Sequence, residues 1–191
     1  MQSVASAAVF LAGVLIAPAV SAFTYTVTEP NGIVVTTTIA GEKVLIRDNR
    51  GAKVSLTTRF GHYDPKTKTR TINSHGGGYI YKAIAMVKQA NKRGDRVRLI
   101  CKTGCVSSST LWLNAKRICI GKDAWFGFHG ATFDPFGLIP DTAAEMIMAD
   151  NYPKALRKTF LTKWRLRHGW FYRVSGGTIR KMTGIKLCKP I

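Results

Sequence analysis

Carboxylates are scarce in this chain: 10 Asp and Glu stand against 29 Lys and Arg, a formal net charge of +19. From Asn151 to Ile191 there is no acidic residue, while Lys154, Arg157, Lys158, Lys163, Arg165, Arg167 and Arg173 accumulate. Such a field attracts polyanions: nucleic acid, anionic lipid headgroups or cell-envelope polymers. It is equally what a solvated basic face would give, and no base-reading or single-strand motif accompanies it, which argues against nucleic acid. Long apolar runs are also scarce. The one run lies at the start, Ala7 to Ala17, inside MQSVASAAVFLAGVLIAPAVSA, and no later segment is apolar enough to cross a membrane. Metal-ligand spacing is lacking too. Neither CxxC nor HxxxH occurs, so the four cysteines, Cys101, Cys105, Cys119 and Cys188, do not read as a zinc site. Nothing in the sequence asks for a metal or a cofactor.

The opening segment, residues 1–22, has an apolar centre and ends Val20-Ser21-Ala22, a small-residue cleavage pattern. It reads as a secretory signal peptide, although no Lys or Arg precedes the apolar run; an uncleaved N-terminal membrane anchor is the alternative. Cleavage would deliver the remainder to a periplasmic or secreted location. There the cysteines meet an oxidising compartment and disulfides are expected.

The remainder suits one domain. Residues 23–69 read as a β-rich extension, with turns at Pro30-Asn31-Gly32 and Asp48-Asn49-Arg50-Gly51 between β-branched runs. Residues 70–191 alternate strand and helix. Arg70 to Asn73 is a short strand, and Ile80, Ala83, Ile84 and Val87 fall at helical spacing before Gly94. RVRLICK, RICIG and AWFGFH read as strands, TLWLNAK as a helix. Thr142 and Glu145 are spaced like a capping box at the start of another helix. Strand–helix alternation implies βαβ units, an α/β fold and a largely parallel sheet.

TINSHGGGYI places three glycines between a strand and a helix. Bare N–H groups at a helix start suit a phosphate or an oxyanion, or simply allow close packing. Phosphate-loop spacings, GxxxxGK[ST] and GxGxxG, are absent. A second strand-to-helix turn carries Ser107, Ser108 and Ser109, and His129 closes the AWFGFH strand. Serine needs a base to become nucleophilic, and histidine is the usual one. A lipase-like α/β-hydrolase does not fit, because its nucleophile sits in G-x-S-x-G and Ser107 lies in CVSSS.

At these residues the chain resembles the Clp protease proteolytic subunit and its crotonase-like superfamily. INSHGGGYIYKAIAMVKQA is similar to the strand–glycine turn–helix of that group. GCVSSSTLWLNAKRICIGKDAWFGFHGA is similar to the serine and histidine segments of exported Clp-protease-like proteins. The resemblance spans roughly Arg70 to Cys188. It implies a Clp/crotonase-like ββα superhelix with the β-rich N-terminal extension, Ser107 as nucleophile and His129 as general base. It also implies an oxyanion hole from backbone N–H groups at Gly76, Gly77 and Ser108.

His75 stands where the family usually has proline. The family's aspartate should fall near WFYRVSGG, where this chain has no carboxylate. Of Asp134, Asp141 and Asp150, the last two look helix-associated, leaving Asp134 as the candidate third member. Cys101 and Cys119 lie on strands expected to be neighbours and are expected to pair, with Cys188 returning to Cys105. Two functions follow as expectations. One is an exported serine hydrolase, a peptidase acting on peptide or protein. The other is a non-catalytic Clp-like scaffold whose basic face binds an anionic envelope polymer, lipid headgroups or a protein partner, with room for an oligomer in either case.

Overall fold

The structure is a computed structural model describing residues 21–57, 60–132 and 139–189. It is mixed α/β with three sheets. The first is an antiparallel meander of β1 (Phe23–Thr28), β2 (Val34–Ala40), β3 (Lys43–Asp48) and β4 (Lys53–Thr57), paired in chain order. Two of its three turns fall where the sequence puts them, and at the second of these the Asp48 carboxylate accepts from the N–H groups of Arg50 and Ala52; the third, at Gly41 and Glu42 between β2 and β3, had no expectation. One face of the meander supplies Val35, Thr37, Ile39, Val44 and Ile46 to the core.

Against that face lies helix α1 (Ile80–Arg93), ended by Gly94 in the left-handed conformation with Lys92 and Arg93 in its last turn. The predicted apolar stripe Ala83, Ile84 and Val87 is buried, and so are Ala85, Met86 and Ala90. The helix is covered on two sides, by the meander and by the main body. A single hydrophobic cluster therefore runs from Val35 in the extension to Ile179 near the end of the chain.

The second sheet has β5 (His62–Asp64), β6 (Thr69–Ile72), β7 (Arg96–Leu99), β9 (Ile118–Ile120) and β12 (Lys186–Leu187), in the spatial order β12-β9-β7-β6-β5. All its pairings are parallel except β5 with β6. The third sheet sets β8 (Cys105–Val106) parallel to β10 (Trp125–Phe128), and β10 antiparallel to β11 (Tyr172–Ser175). Parallel pairing thus dominates the second sheet but not the third.

Of TLWLNAK, Thr110 to Asn114 belong to a 3₁₀ helix that starts earlier, Ser107–Asn114, and Ala115 is already extended. Three α-helices complete the chain: α2 (Thr142–Asp150), α3 (Lys154–Thr162) and α4 (Gly176–Thr183). The capping box is not formed. Asp141, not Thr142, is the N-cap of α2, accepting from the Ala144 N–H at 2.9 Å, and Glu145 turns into the interior.

The disulfides are Cys101–Cys105 and Cys119–Cys188, which corrects the expected pairing. Cys101 and Cys119 do belong to neighbouring chain segments. However, β7 stops at Leu99, and Cys101, at φ 42°, sits in a tight turn that returns to Cys105 within four residues. On the other side of β9 runs β12, where Lys186 is the register partner of Cys119 and brings Cys188 alongside. Both bridges fit an oxidising environment. Among the described residues no helix is long and apolar enough to cross a membrane.

Candidate functional site

Three chain segments run side by side in one direction. His75 bridges Cys105 in parallel, through His75 N–H to Gly104 O at 3.1 Å and Val106 N–H to His75 O at 2.9 Å. On the other side of β8, Cys105 and Val106 pair with Phe126 and Gly127. The three segments end at the same side of the fold, where the glycines succeed His75, Ser107 succeeds Val106 and His129 succeeds Phe128. Ser107 thus stands between the glycine turn and the histidine, outside the carboxyl ends of parallel strands, where α/β folds bind ligands.

Ser107 has φ 56°, a left-handed conformation that non-glycine residues seldom adopt and that costs about 1–2 kcal/mol. Strained backbone of this kind gathers at functional sites. Neighbouring groups hold it. Thr110 Oγ1 donates to Ser107 O at 2.6 Å, and the buried Tyr152 hydroxyl bonds to Thr110 Oγ1, also at 2.6 Å. Ser109 Oγ donates to Val106 O at 2.6 Å, with His75 O at 3.1 Å. Ser108 is fully buried, and its hydroxyl has no hydrogen-bond partner among the described residues.

The glycine turn touches the serine directly. A Cβ at Gly77 would lie 2.4 Å from Ser107 Cβ, and φ there is +93°, so no side chain is admitted. The Gly77 N–H donates to His75 Nδ1 at 2.9 Å, and the His75 ring stacks on buried Phe60 at 4.1 Å. In this state the Gly77 N–H is engaged by its own loop. Gly76 is exposed.

His129 is partly buried, and its Nδ1 lies 2.6 Å from Gly130 O. A carbonyl only accepts, so Nδ1 carries the proton and Nε2 keeps its lone pair. Burial pushes the imidazole below its ordinary value; the Gly130 bond opposes this, His168 adds to it, and Glu145 opposes it. The ring is therefore neutral near pH 7.

Two features beside it have no counterpart in the sequence reading. Phe171 packs edge-on against the imidazole, centroids 5.3 Å apart, in the stretch where the resemblance places an aspartate. Its position comes from β11, where Tyr172 pairs with Phe128. Behind Gly130 lies Glu145, only 2% exposed, bonded to Arg165 Nη1 at 2.7 Å and His168 Nε2 at 3.0 Å. A Cβ on Gly130 would sit 2.3 Å from Glu145 Oε1, which shows how tightly this cluster abuts the residue after His129. One signal for Glu145 is present in the sequence, since it is a lone acid in an apolar stretch, TAAEMIMA.

No family model, curated protein or solved structure matches this chain. Its site therefore rests on geometry. Asp134 lies outside the described residues. Asp141 is occupied in capping α2, and Asp150 pairs with Arg157 on the surface. Among the described residues no group of three or more His, Cys, Asp or Glu could hold a metal ion. The arrangement brings Ser107, Gly77 and Ser108 together and sets His129 at the end of the adjoining strand.

Proposed function

We propose that the chain is an exported serine hydrolase of the Clp-like kind, a peptidase acting on peptide or protein, with its α/β body read as a Clp/crotonase-like superhelix. The observation that carries this reading is the left-handed Ser107 packed against a side-chain-free glycine turn, with His129 just past the end of the adjoining parallel strand. In the proposed reaction Ser107 Oγ attacks an acyl carbonyl and its proton passes to His129 Nε2. Backbone N–H groups at Gly76, Gly77 and Ser108 receive the oxyanion, the Gly77 N–H first leaving His75 Nδ1. His129 then gives its proton to the leaving amine, and water, deprotonated by the same imidazole, releases the acyl group.

Among the described residues no carboxylate meets His129 Nδ1, so the Gly130 carbonyl fixes the tautomer. Glu145, through Gly130, is the positioning residue for that loop. A carbonyl orients but carries no full charge to stabilise the imidazolium, so slow turnover is expected.

A second reading, a non-catalytic scaffold, draws on Phe171, which occupies the space beside the imidazole with a ring that cannot accept a proton. A fluorophosphonate probe separates the two. The hydrolase reading expects labelling that is lost in Ser107→Ala, drops by about 100-fold or more in His129→Ala, and persists in Ser108→Ala. Folded protein that stays unlabelled between pH 5 and 9 (on the order of the usual imidazole window) would leave the scaffold standing.

A further inference from the structure

Among the described residues no helix covers the outer face of the second sheet. Side chains alternate across it, with Arg70, Ile72, Val97 and Leu99 buried beneath and Thr69, Thr71, Arg96 and Arg98 turned outward. Register aligns these into a row that crosses all five strands: His62 opposite Thr71, Thr71 opposite Arg98, Arg98 opposite Cys119, Cys119 opposite Lys186. The row from His62 to Cys119 lies in a groove of about 790 Å³ whose rim adds Lys116 and Arg117, and Lys186 lies beyond it on β12. A smaller hollow of about 220 Å³ shares Arg98 and continues toward Lys102, Lys122 and Lys189.

Two of the arginines here are oriented by carbonyls, and Asp123, the carboxylate on the smaller hollow, takes part in none of the ion pairs of the described residues. Arg117 Nη1 donates to Gly94 O at 2.8 Å and Arg98 Nη2 to Lys189 O at 3.0 Å, both uncharged acceptors. The buried Arg98 Nε has no partner among the described residues. The ion pairs of the described residues use Asp48, Asp95, Asp150 and Glu145, and none includes a cation of this groove. Asp64, the carboxylate on the main groove, is turned to Thr67 Oγ1 and the Lys66 N–H, and the Thr67 bond chiefly holds it below the usual carboxylate range. Arginine forks pre-set by carbonyls and flanked by threonine hydroxyls are suited to phosphate oxygens.

We infer that this groove binds a linear polymer of closely spaced phosphate groups. Arg96 and Arg98, two residues apart on one strand, lie about 7 Å from each other, and Arg98 and Lys186, with β9 between their strands, about 10 Å. Such spacing meets a chain with a charge every few ångströms. No Phe, Tyr or Trp lines the groove, so the stacking that holds single-stranded nucleic acid is not supplied. A concave groove also presents no protruding apolar wedge of the kind a membrane surface needs. The site shares no residue with the Ser107–His129 arrangement and stands apart from the acyl-transfer reading.

The test is binding of inorganic polyphosphate to the whole chain, with a charge-matched control. Arg96→Glu with Lys116→Glu should weaken binding by about 10-fold or more. Lys154→Glu with Lys158→Glu, on the exposed face of α3, makes the same change in net charge and should weaken it by about 3-fold or less. Equal weakening by the two variants overturns the site in favour of a general basic field. Undetectable binding by the unaltered chain at roughly 0.1 M salt overturns it as well, since only the longest-range part of the field is screened there. Equally tight, groove-dependent binding of single-stranded DNA overturns the phosphate-polymer assignment. Should the glutamate pair fail to fold, Arg96→Gln with Arg117→Gln asks the same question, with a weakening of about 5-fold expected and none overturning the site.

Discussion

In the proposed acyl transfer, Ser107 and His129 would divide the demands between backbone and side chain. The serine's contribution is conformational: φ 56° at the end of β8 is retained because Thr110, Tyr152 and Gly77 surround it. The histidine's contribution is electrostatic. With burial as the main cause of its lowered pKa, fluorophosphonate labelling should rise with pH through a midpoint below the ordinary imidazole value of about 6.5 and be level at pH 7–8. A midpoint above that value would mean that a carboxylate, not burial, governs the ring. The same depression has a sign for stability. The unfolded chain takes up the proton first, so stability should fall as pH drops below about 6.5. The placement of both residues just past strand ends was legible in the sequence, in the order glycine turn, serine turn, histidine. Ser107's left-handed backbone was not, because nothing about Val-Ser-Ser marks a serine for that region.

Elements whose signals are local came through the sequence well. Asn-Gly and Asp-Asn-Arg-Gly placed two of the three meander turns, and the Ile80–Val87 spacing with Gly94 placed α1. Elements defined by distant partners did not. Glu145 satisfied a capping pattern four residues long, while its real partners, Arg165 and His168, are 20 and 23 positions away. β11, and with it Phe171, depends on pairing with β10. Glu145→Gln should expose how much the α2 carboxylate matters. Removing its charge takes away an influence that raises His129, so the acid limb of labelling should move to lower pH. Stability should fall by about 2 kcal/mol, less than for a fully buried pair because Arg165 is partly exposed. An unchanged limb with the stability loss would make Glu145 purely structural.

For the whole molecule, the two disulfides differ in reach. Cys119–Cys188 closes a separation of 69 residues and ties the edge strand β12 to β9, whereas Cys101–Cys105 closes four. The chain-entropy account assigns about 4 kcal/mol to the first and about 2 kcal/mol to the second. Denaturant melts of Cys119→Ala/Cys188→Ala and Cys101→Ala/Cys105→Ala should show losses in that order, the long bridge costing more. The short bridge should cost labelling more than stability, because it immediately precedes Ser107. The reverse order of losses would mean that the turn, not the long loop, limits unfolding. Neighbouring strands alone misled the pairing, since Cys101 lies beyond the end of its strand and only the turn's curvature decides its partner.

The meander has a further consequence for how the chain must be handled by any protease or fusion design. Among the described residues the helix packed on residues 23–57 is α1, which has Ala85, Met86 and Ala90 buried as well as Ala83, Ile84 and Val87 of its predicted stripe. A fragment starting near residue 60 would present that helix with an apolar flank bare to water, an adhesive surface. Cleavage between β4 and β5 would therefore leave two sticky pieces, each lacking the cover the other provides.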